Sequence, residues 1–274
     1  MRVSLIGGTG ALGTLLRRHL EAAGVDVSVW GRSSGGRLDV TQPIEDDRPV
    51  DSDCTVYLAW ATGDRSTSAQ LAHAAAAERW ARAAARSGSR FLFISTVLAH
   101  DESRSAYGRH KLIAEQRIAA LGARSLRVGL VIDDEYSGLL ATRLRRMVER
   151  LPAVRSIAAW PVHPVSGSDV AAACLAEAMT DDESDIPVWL APEAAIPLAK
   201  VLVPNSDARV FGRFARIMDV GAGLIPPLPG PIGRYGDAVR GLAPVPFDPM
   251  GTRPPANGRI ALDGWRDGIT RSPR

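Results

Sequence analysis

Lysine is almost missing from this 274-residue chain: among 33 lysines and arginines, only Lys111 and Lys200 are lysine. The net charge is just +3 and the arginines are scattered, so a pI near 9.2 does not predict nucleic-acid binding. Excess arginine beside abundant alanine and glycine reads as a GC-rich coding bias. Against it, a retained lysine is either chance or a position where a guanidinium cannot replace an ammonium. Cysteine is also scarce: Cys54 and Cys174 form no spacing motif, which predicts a cytosolic protein without structural disulfides. No apolar run approaches the length of a bilayer crossing, and the N-terminus does not resemble a signal peptide, so no membrane partner is expected. Five histidines show no metal-ligand spacing, and neither G-x-S-x-G nor a P-loop occurs, so no metal is predicted. What remains is ordinary globular composition, 46% hydrophobic and 23% charged with mean hydropathy −0.02.

Apolar runs alternate with helical patterns through the first half. Strands are predicted at Val3–Ile6, Val27–Trp30, Thr55–Ala59, Phe91–Ser95 and Ser125–Ile132, and helices near Leu12–Ala23, Ser68–Arg86 (with Gly88 as C-cap) and Tyr107–Leu121. Such alternation implies βαβ units, a parallel sheet and helices on both faces: an α/β, Rossmann-type doubly wound fold. Further on, helices are expected near Leu139–Arg150 and Val170–Met179, with a short strand at Val188–Leu190. From Gly221 onward there are ten prolines and ten glycines in 54 residues, too many for long regular elements. Phe211, Phe214, Ile225, Phe247 and Trp265 nevertheless give that stretch apolar surface to bury. The expected organisation is a nucleotide-binding domain over 1–165 and a small loop-rich C-terminal substrate lobe over 166–274, interleaved with it; a floppy tail is the alternative.

Gly7-Gly8-Thr9-Gly10-Ala11-Leu12-Gly13 lies where the first strand hands over to the first helix. Glycines at 7, 10 and 13 permit a tight turn, close approach to a phosphate and close helix–strand packing, while the helix N-terminus presents free N–H groups to an anion. The predicted cradle is Gly7, Thr9, Gly10, Ala11, Leu12 and Gly13. Tyr107 and Lys111 are four residues apart, so on a helix they share a face. A free phenol near pKa 10 is a poor base at neutral pH, whereas an adjacent ammonium favours its anion. An ordinary helix-surface pair is the competing reading.

The spacing G-x-x-G-x-x-G, with Ala106-Tyr-Gly-Arg-His-Lys-Leu-Ile-Ala-Glu115, resembles the extended, epimerase/dehydratase-like branch of the short-chain dehydrogenase/reductase superfamily over roughly residues 1–200. The resemblance implies a nicotinamide dinucleotide cofactor and catalysis by Thr96, Tyr107 and Lys111. In that scheme Thr96, with Ser95 beside it, orients a carbonyl or alcohol, Tyr107 transfers the proton, and Lys111 tunes Tyr107 and holds the nicotinamide ribose. The second strand ends Trp30-Gly31-Arg32-Ser33 without an acid, and Asp26 lies at its start. Arg32 and Ser33 therefore favour the 2′-phosphate of NADP over NAD, unless Arg32 is simply a solvated loop residue. Asp39-Val40 matches the family's adenine-contacting pair, with a turn aspartate as the alternative. The backbone around Ala59 and Trp60 is expected to pack on the cofactor.

Several positions depart from the branch. The Thr96–Tyr107 loop is short for a nucleotide-sugar enzyme, His73 stands where an active-site Asn is common, and Arg127-Val128-Gly129 replaces Arg-Pro-Gly. Pro161-Val162-His163 to Asp169-Val170-Ala171 resembles the family's H-V-x-D-V-A segment, in which Asp169 is expected to N-cap a helix and His163 to pack or line the cleft. The leading expectation is an NADP-dependent oxidoreductase or epimerase acting on a nucleotide sugar or related small carbonyl compound. A ketoreductase or dehydratase-type biosynthetic enzyme is the alternative, and a non-catalytic NADP-binding sensor or scaffold a third, against which the intact Tyr/Lys pair speaks. The resemblance also implies a homodimer through the Tyr/Lys helix and its neighbour, with a monomer the alternative.

Overall fold

The computed structural model describes residues 1–32, 38–43, 50–60, 66–103, 105–133, 161–180, 187–191, 195–198 and 201. Ser33, the helix expected at Leu139–Arg150 and the glycine- and proline-rich stretch lie outside the described residues.

Strand β1 (Arg2–Ile6) is followed by α1 (Ala11–Ala22), β2 (Asp26–Trp30), β3 (Cys54–Tyr57), α2 (Thr67–Ser87), β4 (Arg90–Thr96), α3 (Ala106–Ala119) and β5 (Arg124–Val128). Then come β6 (Leu130–Ile132), β7 (Pro161–Val162), β8 (Pro164–Ser166), α4 (Gly167–Met179), β9 (Val188–Leu190) and β10 (Ile196–Pro197). Six strands form one parallel sheet in the order β2-β1-β3-β4-β5-β9. This is a Rossmann-type α/β fold. α4 and β9, from the segment after residue 166, are part of this unit.

Both sheet faces are covered over the central strands, which is why β1, β3 and β4 read as largely apolar runs, whereas edge strand β2 stays partly exposed. Val3 and Leu5, Cys54 and Val56, and Leu92 and Ile94 pack with Leu16 and Leu20 of α1 and Val170 and Cys174 of α4. One residue out of step, Ile6, Tyr57, Phe91 and Phe93 pack with Trp80 and the buried alanines of α2 and with Ala114 and Ile118 of α3. The alanine-rich face lets α2 lie close to both sheet and α3.

Local chemistry sets the helix ends. The Ser66 hydroxyl accepts from the Ala69 N–H to start α2, and Gly88, at φ +73°, ends it. The Ser105 hydroxyl accepts from the Gly108 N–H to start α3. Two expectations are corrected. The strand read as Ser125–Ile132 is interrupted at Gly129, where the chain passes from pairing with β9 to pairing with β8 and the His163 carbonyl occupies the space a side chain would need. The chain beyond it becomes β6, which pairs with β8. Asp169 does not N-cap α4: Ser166 does, and Asp169 at the third helical position returns a bond to the Ser166 N–H in a capping box.

Candidate active site

The glycine turn is tight because its neighbours leave no room. Gly7 has φ +87°, and a Cβ there would meet the Ala59 backbone at 2.6 and 2.7 Å. A Cβ on Gly13 would strike the backbone of Gly8, so the start of α1 lies directly on the turn. Gly10 differs: a Cβ there would touch only the Gly7 carbonyl oxygen, at 3.4 Å. The first turn of α1 has no side-chain cap and no acid, and Thr9 and Gly10 are exposed. Uncapped N–H groups beside an open glycine position suit a diphosphate, so the residues present fit a dinucleotide.

Next to this turn lies the end of β2. Gly31 packs against the Thr9 side chain and accepts a hydrogen bond from the Leu38 N–H at 3.1 Å, which brings Asp39 alongside. Arg32 is exposed. The Asp39 carboxylate accepts from both the N–H (3.0 Å) and the hydroxyl (2.7 Å) of Thr41. Those bonds, with the charges of Arg32 and His73, hold its pKa below the ordinary value. Val40 is buried among the α2 contacts, and the Arg79 guanidinium on α2 donates to the carbonyls of Val40 (3.3 Å) and Thr41 (3.0 Å). Arg79 was not anticipated, since nothing in a helix sequence announces which loop carbonyls an arginine will reach.

At the C-terminal ends of β3 and β4, α3 delivers Tyr107 and Lys111. Lys111 is 2% exposed, and its ammonium donates to the Ile94 carbonyl at 2.7 Å. Its Nζ lies 4.4 Å from the Trp60 ring centre, 4.3 Å from that of Phe93 and 5.8 Å from that of Tyr107. The Trp60 and Tyr107 rings meet edge to face at 6.3 Å. Trp60 donates its Nε1–H to Gln70 Oε1 at 2.7 Å and stands 5.7 Å from the His73 ring. Glu115, one turn past Lys111, is held by Arg127 through two guanidinium nitrogens at 2.6 to 3.1 Å.

Burial sets the proton affinities here. The Lys111 ammonium is pulled down to about 7, with Glu115 opposing the shift. The half-buried Tyr107 phenol is pushed up to about 12 by loss of solvent. In the cofactor-free chain loss of solvent sets the phenol, whereas the expected lowering also requires the charge of a bound oxidised nicotinamide.

Thr96 closes β4, and its hydroxyl accepts from the Leu98 N–H at 3.3 Å. Strand alternation puts Thr96 on the side of Leu92 and Ile94, whereas Ser95 shares the side of Phe93 and α3. The Ser95 hydroxyl is buried with no hydrogen-bond partner among the described residues. The structure therefore gathers Tyr107, Lys111 and Trp60 on the α3 side, with Ala59 joining them to Gly7. Gln70 and Phe93 were missed. A buried glutamine in an alanine-rich helix, three residues before His73, was the available signal for the first.

Among the described residues no helix is long and apolar enough to cross a membrane, and no cluster of three metal-ligating side chains occurs. The sequence matches no protein-family model, and a comparison with curated proteins finds no match. Solved structures do match. UDP-N-acetylglucosamine 4-epimerase from Bacillus cereus superposes with a TM-score of 0.58 at 17% identity, covering 74% of this chain and 83% of that one. This chain shares the fold of that enzyme. A dTDP-4-dehydrorhamnose reductase from Clostridium acetobutylicum gives 0.58 at 18% identity, covering 74% and 78%. UDP-glucose 4-epimerase from Thermus thermophilus, solved in complex with NAD, gives 0.55 at 17% identity, covering 74% and 81%.

Proposed function

We propose that this chain is a nicotinamide-dependent oxidoreductase or epimerase of the extended short-chain dehydrogenase/reductase kind. Its substrate on this reading is a nucleotide sugar or a related small carbonyl compound. The observation that carries it is the convergence of an open glycine turn and a Tyr/Lys helix face on one end of the sheet, joined through Ala59 and Trp60. A sensor needs the first feature and has no use for the second.

When bound, the cofactor supplies a hydride acceptor or donor. The residues of the chain do the rest. Gly7, Thr9, Gly10, Ala11, Leu12 and Gly13 form the phosphate cradle. Tyr107 gives or takes the proton at the substrate oxygen through its phenol oxygen, and Lys111 supplies positive charge beside it and holds the ribose. Thr96 or Ser95 orients that oxygen. NADP is favoured over NAD by Arg32, at the end of a strand whose described C-terminal residues include no carboxylate to accept hydrogen bonds from the ribose hydroxyls of NAD. NAD in the Thermus thermophilus epimerase supports the nicotinamide class and argues for testing both dinucleotides. The chain is expected to act in the cytoplasm, as a homodimer.

The test is a screen of NADPH and NADH oxidation, and of the reverse reduction, across nucleotide sugars and small ketones. Tyr107→Phe is the control: it should lower kcat by at least about 100-fold, the usual contribution of a placed acid–base group, while cofactor affinity changes little. Full turnover by this variant would move proton transfer to another residue. Tight cofactor binding without hydride exchange on any carbonyl would favour the sensor.

A further inference from the structure

Lys111 is the lysine that the arginine-rich composition left unexplained, and its surroundings ask more of it than proximity to Tyr107. An ammonium that is 2% exposed, with a hydrogen bond to one carbonyl, has lost most of its hydration. Two ring faces stand within 4.4 Å of it, and a cation over an aromatic face is stabilised most when desolvated. Phe93 is fixed by its strand. Trp60 follows β3, and buried Gln70, 3% exposed, accepts its indole N–H, adding a directional bond to its ring contacts with His73, Phe93 and Tyr107.

We propose that Trp60, oriented by Gln70, is a positioning residue that holds Lys111 as an ammonium on the Tyr107 face of α3 in the cofactor-free chain. Its consequence for catalysis rests on the function proposed above; the cage itself does not. Other groups face Lys111. On α3 these are Tyr107 and Glu115, the latter drawn away by the bidentate grip of Arg127 from β5. On α2 it is His73, behind the Trp60 ring. On β4 it is the Ile94 carbonyl. None of these replaces the ring face that Trp60 provides. Burial already lowers the Lys111 proton affinity to about 7, so a modest loss of stabilisation would decide its charge at neutral pH.

The test uses the scarcity of lysine. With [13Cε]lysine incorporated biosynthetically, the chain gives signals from two lysines only, and Lys200→Arg assigns them. The pH titration of the Lys111 signal is followed without cofactor. Trp60→Leu removes the ring and keeps the site apolar, so the Lys111 midpoint should fall by about one unit, the size of one desolvated cation–π contact. Trp60→Phe restores a ring face and should return most of the shift. Gln70→Leu keeps the indole but removes its directional bond, giving a smaller downward shift, and carries the test if Trp60→Leu does not fold. An unchanged or raised midpoint in Trp60→Leu, or in Gln70→Leu if that variant has to stand in, overturns the proposal. Because the readout needs neither cofactor nor substrate, a shifted midpoint without hydride transfer would sink the enzyme reading alone. Turnover with an unmoved midpoint would sink the cage alone.

Discussion

A buried ammonium costs the fold stability wherever the unfolded chain would carry the same charge in water, and Lys111 makes that cost visible as a pH dependence. Below about pH 7 both states are protonated, and the folded state bears the full penalty. Between about 7 and the ordinary value of 10.5, the unfolded chain keeps the proton and the folded chain releases it. Stability therefore rises with pH across that window. Lys111→Met should unfold a few degrees above wild type at pH 6.5, with the gap closing as pH approaches 10. Thermal unfolding at the two pH values measures it, and a pH-independent gap would unlink the charge from stability. The hydroxyl choice is also a residue-scale matter. Thr96 is the match by resemblance, but strand alternation turns Ser95 toward α3 and leaves its hydroxyl without a partner among the described residues. If Thr96 orients the substrate, Thr96→Val lowers kcat by about 10²-fold and Ser95→Ala is near neutral. The reversed order in steady-state kinetics would assign the role to Ser95.

At the scale of elements, the central strands were legible because both faces are buried, and Gly88 announced the end of α2. Two boundaries were not. The break at Gly129 lies where pairing passes from β9 to β8, beside a carbonyl 34 positions later in the chain, that of His163, and the start of α4 depends on which of Ser166 and Asp169 caps the other. Short-range pattern carries neither. The shared helix face of Tyr107 and Lys111 was legible from their four-residue spacing, but the Trp60–Gln70 contact joins two elements, and only packing reveals it. The glycine turn separates packing from binding. At Gly13 an added methyl meets Gly8 backbone, so Gly13→Ala must shift α1 and should cost about 1–3 kcal/mol of stability. At Gly10 the same methyl meets only one oxygen at 3.4 Å, so Gly10→Ala should fold like wild type yet lose dinucleotide affinity. Urea unfolding together with cofactor titration of both variants checks the contrast; equal affinity in Gly10→Ala and wild type would take the phosphate away from this turn.

For the whole molecule, the sequence pattern led to the doubly wound sheet because local alternation and global topology agree. Most of the expected lobe lies outside the described residues. Prolines and glycines set local turns, and where such a segment packs depends on contacts that have no period. A dinucleotide lying along the end of the sheet would tie β1, β3, β4 and α3 together, and binding to the folded state alone stabilises it by mass action. At a concentration 100-fold above Kd the gain is about 2.7 kcal/mol, or roughly 5–10 °C in Tm for a chain of this size. NADPH at 1 mM should therefore raise Tm more than NADH at 1 mM does. Arg32→Ala should remove that difference while leaving the NADH shift intact, because the side chain is exposed and its loss disturbs no packing. If the two dinucleotides shift wild type equally, the 2′-phosphate has no partner at Arg32 and the cofactor preference falls. If neither shifts it, the glycine turn is not a dinucleotide site, and the proposed chemistry falls with it.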